Sequence, residues 1–243
     1  MAQNIYDDDS FFSGYSTLAR SVKGLTGAGE WASIRALLPD MAGLRVVDLG
    51  CGFGWFCRWA REAGAAEVLG LDLSEKMLAK AAQDTNDPAI TYGRADLDRL
   101  DLIPGAFDLA YSSLALHYLA SLEAVMAAVH AALVPGGHFV FSVEHPIYTA
   151  PTQPGFVTAE DGSRVWPLDS YLIEGRRLTN WFASGVVKHH RTVASYVTAL
   201  LSAGFTLTAL QEWGPSAEQI AEHPTWADER QRPPFLLVAA RRG

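Results

Sequence analysis

Apolar and polar positions along the chain follow two periodicities in turn. Short apolar runs, typical of buried strands, occur near residues 46–49, 68–71, 89–92, 106–111 and 138–143. Between these runs, apolar residues recur at the three- and four-residue spacing of amphipathic helices. From residue 44 to 143 this alternation predicts parallel strands joined by right-handed crossovers. Two further strands are predicted at 205–210 and 234–240, by their Phe, Leu and Val content.

Two segments lie outside this alternation. Residues 1–43 precede the first strand and contain two helical patterns, one ending near Arg20 and one ending before Pro39. Residues 147–190 carry six aromatic residues among prolines and glycines. An irregular stretch of this length in a compact domain is usually a lid or a binding insertion. The alternative is an extra hairpin, from Arg164 to Lys188, that dimerises or covers an edge strand.

The run from Val46 to Gly54 ends in alternating glycines and leads into an amphipathic helix. A dinucleotide fingerprint would need a third glycine at position 55, where Trp55 stands. Asp48 lies two residues before the first glycine, where it could hold a cationic amine. Asp72 closes the next apolar run, 18 residues beyond Gly54, where a carboxylate could accept ribose hydroxyls.

These residues resemble motif I and its acidic follower in class I S-adenosylmethionine-dependent methyltransferases, and the similarity extends through about residue 145. The turn at 133–138 is similar to the family's turn before strand five. The resemblance implies an α/β fold with a doubly wound, mostly parallel sheet of seven strands and helices on both faces. The implied strand order is 3-2-1-4-5-7-6, with strand 7 antiparallel, in one domain spanning 1–243. It also implies S-adenosyl-L-methionine as cofactor and methyl transfer as reaction.

The resemblance also implies a set of cofactor contacts. The glycine turn would hold the amino-acid part, Asp72 the ribose, and Asp96 with Leu97 the adenine. In the N-terminal segment 1–43, Tyr15 would cover the cofactor and Arg20 would pair with its carboxylate, unless both only pack a helix on the domain. The expected cofactor-binding residues are Tyr15, Arg20, Asp48, Gly50, Cys51, Gly52, Gly54, Asp72, Leu73, Met77, Asp96, Leu97 and Ser112.

Methyl transfer is an in-line displacement, so a general base is optional: a neutral amine or a thiolate needs none, whereas a hydroxyl or an acidic carbon must lose a proton. Histidines 117, 145, 189 and 190 lie on loops predicted at the ligand-binding edge. We favour His117 and His145 as catalytic residues because they follow strands four and five. The alternative for each is a hydrogen-bonded or surface imidazole. His189 and His190 cannot both point inward along one strand.

An aromatic lid suits a small organic acceptor of aromatic or acidic character. The expected lid residues are Tyr148, Trp166, Tyr171, Trp181 and His190. The basic residues Arg176, Arg177, Lys188 and Arg191 could attract an acidic acceptor or form a solvated face.

Composition and charge limit the classes of partner that we expect for this protein. The formal net charge is −8, which disfavours nucleic acid and anionic membranes. We find no secretory signal and no apolar run of membrane-spanning length, which predicts a cytoplasmic protein. Cys51 and Cys57 are the only cysteines, so we expect reduced thiols and no metal site. A monomer and a homodimer are both open.

Two other functions are compatible with these patterns. One is a sensor or scaffold that binds S-adenosylmethionine without transferring a methyl group. The other is a nucleotide-dependent oxidoreductase on the same fold, against which Trp55 counts. A nucleic-acid methyltransferase is weaker still, because Ser112-Ser113-Leu114-Ala115 follows strand four where an Asn/Asp-Pro-Pro-Tyr/Phe motif would stand.

Overall fold

The computed structural model describes residues 3–243, so the first two residues of the expected N-terminal cover, 1–43, lie outside the described part of the chain. Its strands are β1 (Arg45–Leu49), β2 (Glu67–Asp72), β3 (Ile90–Arg94), β4 (Phe107–Ser113), β5 (Leu133–Glu144), β6 (Val157–Thr158), β7 (Arg164–Val165), β8 (Gly175–Trp181), β9 (Ala183–His190), β10 (Phe205–Trp213) and β11 (Phe235–Arg242). Its α-helices are α1 (Asp9–Ser16), α2 (Ala19–Val22), α3 (Trp31–Arg35), α4 (Trp55–Glu62), α5 (Glu75–Gln83), α6 (Leu122–Ala132), α7 (Pro146–Thr149), α8 (Val193–Ser202) and α9 (Ala217–Glu222).

Seven strands form the main sheet, in the order β3-β2-β1-β4-β5-β11-β10. Strand β11 is antiparallel to both β5 and β10, and the other neighbouring strands are parallel. Counted along the chain, this is the predicted order 3-2-1-4-5-7-6, and the doubly wound fold is confirmed. The strand order reverses beside β1, and ligands in open α/β sheets bind beyond the carboxyl ends of the strands at such a point.

Apolar side chains fill both sides of the sheet. Successive residues of β1 belong to different core clusters, with Val46 packed with Phe56 of α4 and Val47 packed with Val125 of α6. This is expected because side chains alternate across a strand. A strand buried on both faces has a continuous apolar run, which explains why β1 was recognisable in the sequence.

Two predicted boundaries are wrong in detail. The helix expected to end near Arg20 is two helices, α1 and α2, because Leu18 between them has an extended backbone. The turn expected at 133–138 lies inside β5. Leu133 pairs with Phe107 and His138 pairs with Leu109, so residues 134–137 bulge opposite a single residue of β4.

The insertion at 147–190 contains two small antiparallel pairs, β6 with β7 and β8 with β9. The hairpin spans 175–190 and not Arg164 to Lys188 as expected. Its two strands form a sheet of their own, so it does not pair with an edge of the main sheet. Instead, it contacts the N-terminal segment, where the side chain of Gln3 bonds Gly185 O at 3.0 Å and Val187 N at 2.8 Å.

Candidate active site

A cavity of about 930 Å³ lies at the carboxyl ends of β1, β2, β4 and β5. Its wall includes residues of the N-terminal segment, the glycine loop, the hairpin β8–β9 and the short helical segment Pro224–Gln231. This volume is at the upper end of the range of about 300–1,000 Å³ for ligand pockets. The cavity is therefore large enough for more than one small molecule.

The three loop glycines have positive φ angles, and their surroundings are of two kinds. A Cβ on Gly50 would lie 2.5 Å from Ala115 Cβ, and one on Gly54 would lie 2.2 Å from the hydroxyl oxygen of Tyr92. A Cβ on Gly52 would meet nothing within 4 Å. Gly50 and Gly54 therefore permit close packing, while Gly52 borders open space.

Asp72 organises the glycine loop from the end of β2. Its Oδ2 accepts the N–H of Gly52 at 2.9 Å, and its Oδ1 accepts the N–H of Ser74 at 2.9 Å. The N–H groups of Gly50 and Cys51 both bond Leu71 O. The peptide N–H groups of Gly50, Cys51 and Gly52, which were expected to be free for the cofactor, therefore already have acceptors within the protein. The carboxylate of Asp72, which lines the cavity, retains lone pairs for a ligand.

Asp48 lies at the end of β1, 2% exposed, and also lines the cavity. Burial raises the pKa of its carboxyl to about 7, and the nearby charge of Asp72 acts in the same direction. The Cys57 thiol lies 3.3 Å from Asp48 Oδ2, and this hydrogen bond opposes the shift. A cationic ligand group beside Asp48 would favour its ionised form.

Around the expected adenine site, Leu73, Met77 and Leu97 line the cavity. Asp96 is not part of the wall. Its carboxylate accepts the N–H of Asp98 at 3.1 Å and caps the turn that follows β3. The apolar part of the predicted site is thus assembled, whereas Asp96 has a local role in the turn.

The N-terminal segment lies against the part of the cavity formed by the glycine loop, where the cofactor is expected. Tyr15 and Arg20 both line the cavity. The Arg20 Nη2 donates to both carboxylate oxygens of Glu30, at 2.9 and 3.1 Å, and Glu30 is buried. Arg20 therefore already has an internal partner, which was not foreseen.

Asp7 ties this segment to the start of α5. Its Oδ1 lies 2.5 Å from Ser74 Oγ and accepts the N–H of Lys76 at 3.1 Å, while its Oδ2 accepts the N–H of Glu75 at 3.3 Å. Free N–H groups and the helix dipole make a helix start favourable for a carboxylate.

At the other end of the cavity, a buried ion pair joins the sheet to the hairpin. Lys188 Nζ lies 2.6 Å from Glu144 Oε1, and the two side chains are 5% and 14% exposed. The Oε2 atom of Glu144 is buried and has no hydrogen-bond partner among the described residues. It lies 3.9 Å from the Nε2 of His117.

His117 is in the cavity wall, but its chemistry differs from the expectation. Its Nδ1 accepts the backbone N–H of Glu144 at 3.3 Å, so the neutral ring carries its proton on Nε2. Burial lowers its pKa to about 4. The nitrogen that could act as a base is occupied, so the geometry does not support His117 as a general base.

His145 lies outside the cavity wall. Its Nδ1 accepts the N–H of Ile147 and caps α7, and its Nε2 lies 3.0 Å from Glu212 Oε1. Ser112 is also outside, since its hydroxyl donates to Leu49 O at 2.7 Å and ties β4 to β1. Both residues therefore hold neighbouring elements together without lining the cavity.

The expected lid residues separate into two groups. Tyr148 and Trp181 line the cavity. Tyr171 and His190 are not part of its wall, because His190 hydrogen-bonds Tyr171 O and Thr149 Oγ1 within the insertion. Trp166 is a second layer that stacks on Tyr148 with a centroid distance of 5.5 Å.

The four basic residues of the insertion do not form one cluster. Lys188 is buried in the pair with Glu144, and Arg191 donates to the carbonyls of Leu119 and Ala120. Arg177 binds carbonyls within the insertion. Only Lys188 of this group is in the cavity wall.

Glu144 and Arg232 are among the cavity residues that were not predicted as site residues from the sequence. Glu144 ends β5 and could have been recognised by that position. Arg232, which is 6% exposed, also lines the cavity, but no local pattern distinguishes it. Within the described residues there is no group of three or more His, Cys, Asp or Glu side chains placed for a metal ion, and no helix long and apolar enough to cross a membrane.

Comparisons with known proteins agree with this geometry. Residues 47–141 match the family model of a methyltransferase domain. The solved structure of an S-adenosylmethionine-dependent methyltransferase from Mesorhizobium loti is 59% identical, has a TM-score of 0.88, and is matched over 90% of this chain and 100% of that one.

Two curated relatives differ in how much of the chain they match. An uncharacterised protein of Haemophilus influenzae is 33% identical over 98% of this chain and 97% of its own length. Malonyl-[acyl-carrier protein] O-methyltransferase of Pectobacterium atrosepticum is 38% identical over 107 residues, which are 44% of this chain and 41% of that protein. The chain thus spans less than half of this second relative. Taken with the glycine loop, Asp72 and the strand order, these similarities show that the chain belongs to the class I S-adenosylmethionine-dependent methyltransferases.

Proposed function

We propose that this enzyme transfers the methyl group of S-adenosylmethionine to a small organic acceptor bound in the same cavity as the cofactor. The observation that carries this proposal is the continuity of the cavity. Gly52 and Asp72 line one end, and Glu144 and Lys188 line the other. An enclosed site of this size favours a small molecule over a folded macromolecule.

The cofactor end has the groups that S-adenosylmethionine requires. Gly52 leaves open space beside the loop, and a Cβ at this position would project into the space that the cofactor would occupy. Asp72 would accept the ribose hydroxyls, Asp48 would face the ammonium group, and Leu97 with Met77 would pack on the adenine. When bound, the cofactor supplies a methyl group attached to a positively charged sulfur.

At the acceptor end, the residues exclude water and handle a proton. The acceptor nucleophile forms a bond to the methyl carbon while the carbon–sulfur bond breaks and its electron pair stays on sulfur. A hydroxyl or amine acceptor must also lose a proton. We assign proton acceptance to Glu144, because its Oε2 lies in the cavity region without a hydrogen-bond partner among the described residues, while Lys188 holds its Oε1 at 2.6 Å.

The malonyl-[acyl-carrier protein] O-methyltransferase supports the proposal only in part. Its name describes methyl transfer to an oxygen of an acyl group, and it matches less than half of this chain. The support therefore concerns the reaction more than the acceptor.

The test has two stages. Calorimetric titration of ligand-free protein with S-adenosylhomocysteine should show saturable binding, whereas NADH should not bind. Formation of S-adenosylhomocysteine from S-adenosylmethionine is then measured with a panel of small organic acids, phenols and amines. Glu144→Gln should retain cofactor binding and lose turnover, while Glu212→Gln, on the exposed side of His145, should retain both.

Two outcomes would contradict the proposal. Binding of S-adenosylhomocysteine with no turnover of any small acceptor would favour a sensor or scaffold. Full turnover by Glu144→Gln would remove Glu144 from proton transfer while leaving the methyltransferase assignment intact.

A further inference from the structure

Arg232 is buried in the cavity wall with much of its donor capacity unused. Its Nη2 donates to Glu229 Oε1 at 3.4 Å, and its Nη1 lies 2.8 Å from Glu229 Oε2 without the alignment of a hydrogen bond. Its Nε has no hydrogen-bond partner among the described residues. A guanidinium has five N–H donors and can bind carboxylates both end-on and side-on. Glu229 occupies the end-on edge, so the side-on edge is available.

Three aromatic rings lie beside this guanidinium. Its Cζ lies 4.2 Å from the ring centroid of Trp166, 4.4 Å from that of Tyr148 and 5.2 Å from that of Phe156. These contacts hold the cation in place but accept no strong hydrogen bonds. The hydrogen-bonding capacity of the Nε edge is therefore left for a ligand, and a carboxylate matches the paired N–H donors of such an edge.

The surrounding charges also favour a singly charged ligand. Glu144 pairs with Lys188, and within the described part of the chain Glu229 forms an ion pair with Arg232 alone. A dianion would meet the charges of both glutamates, whereas one additional carboxylate would share Arg232 with Glu229. The Tyr148 ring contacts Lys188 at 5.8 Å as well as Arg232, so the two cations flank one side chain.

We propose that the side-on edge of Arg232 binds a carboxylate of the methyl acceptor, which makes the acceptor an organic acid whose reacting group lies toward Glu144. This inference rests on the proposed function, because it concerns the same cavity. Tyr148 and Trp181 supply apolar surface for the body of that acid.

The test measures binding of benzoate and trans-cinnamate to the protein saturated with S-adenosylhomocysteine, with benzamide and cinnamamide as neutral counterparts. At least one acid should bind saturably below about 10 mM, and more tightly than its amide. Arg232→Met should weaken acid binding by about tenfold or more, which is the effect of losing a charge-assisted hydrogen bond. Arg232→Lys retains the positive charge but lacks the paired N–H donors of a guanidinium, so this variant should also bind acids more weakly.

Arg164→Met is the matched control. Arg164 also lies over the Phe156 ring, at 5.5 Å, and pairs with Asp228, but it is exposed and outside the cavity wall. Its removal should leave acid binding unchanged. Unchanged affinity for S-adenosylhomocysteine shows that each variant is folded.

The outcomes separate the two proposals. Failure of S-adenosylhomocysteine to bind the unmodified protein would overturn the proposed function. Normal cofactor binding with no acid bound, with amides bound as tightly as acids, or with acids bound as tightly by Arg232→Met as by the unmodified protein would overturn the carboxylate subsite alone. In that case Arg232 only anchors the insertion.

Discussion

The imidazole Nδ1 of His117 accepts the backbone N–H of Glu144, and this bond joins the loop after β4 to the end of β5. It places His117 and the proposed proton acceptor Glu144 in one structural unit. Because Nδ1 is the acceptor, His117 positions Glu144, whose Oε2 lies 3.9 Å from Nε2. For this reason we propose the neighbouring carboxylate, and not the histidine, as the group that accepts the proton.

His117 should make the protein sensitive to acid. Its pKa is lowered to about 4 by burial, whereas an unfolded histidine has a pKa of about 6.5, so the unfolded chain binds more protons between these values. The stability contribution is present above pH 6.5 and is lost as pH falls toward 4, by at most about 3 kcal/mol.

Urea unfolding from pH 4.5 to 7.5 measures this dependence. His117→Asn keeps an acceptor for the Glu144 N–H and should flatten the profile, whereas exposed His223→Asn should not. An unchanged acid loss in His117→Asn would show that another group is responsible.

The Lys188 and Glu144 pair should be strongly coupled in stability. Lys188→Met leaves a buried carboxylate without its cation and is expected to destabilise the protein by about 3–5 kcal/mol. Adding Glu144→Gln should recover much of this loss, because the uncompensated charge is removed. A double-mutant cycle by urea unfolding measures the interaction. Additive losses would mean that the pair contributes no interaction energy.

Cofactor affinity should depend on the ionisation of Asp48. Its pKa in the free protein is raised to about 7, and an ammonium group beside it favours the carboxylate. Affinity for S-adenosylhomocysteine should therefore fall as pH decreases below 7, by up to about tenfold per pH unit. Calorimetry between pH 5.5 and 7.5 measures this slope. Asp48→Asn should bind more weakly with a flatter profile, and an equal slope would place the titrating group elsewhere.

Asp72→Ala should weaken S-adenosylhomocysteine binding by about 1.5–3 kcal/mol, because charge-assisted hydrogen bonds are lost. The change also frees the N–H groups of Gly52 and Ser74, so stability should fall as well. Exposed Asp101→Ala serves as control and should alter neither quantity. Unchanged affinity of Asp72→Ala would contradict the ribose assignment.

Asp7→Ala should loosen the N-terminal segment from α5. It removes contacts to Ser74 Oγ and to the N–H groups of Glu75 and Lys76. Hydrogen exchange of α1 should accelerate and S-adenosylhomocysteine should bind more weakly. Asp9→Ala is the control, since Asp9 is exposed and its one ion pair with a described residue is to the Lys76 side chain at the surface. Unaltered exchange would show that aromatic packing alone holds the segment.

The cofactor end was largely predictable because its signals are local. The apolar run of β1, the glycines after it and Asp72 after β2 lie in short stretches whose backbone geometry follows from residue type. The strand order followed from a family resemblance carried by the same stretches. Even here, the sequence did not show that Asp72 engages the Gly52 N–H, since that bond joins two loops.

The acceptor end depends on contacts between distant parts of the chain. Glu144 meets Lys188 across 44 residues, and Arg232 meets Tyr148 from a segment that carries no motif. Histidine was predicted as the base from its position after strands four and five, but the tautomer of His117 is set by the backbone N–H of Glu144 at the end of β5. Local sequence determined the fold and the cofactor loop, because strand periodicity and glycine conformations are local properties. Tertiary structure decided which charges are buried together, because burial and pairing exist only after the segments have packed.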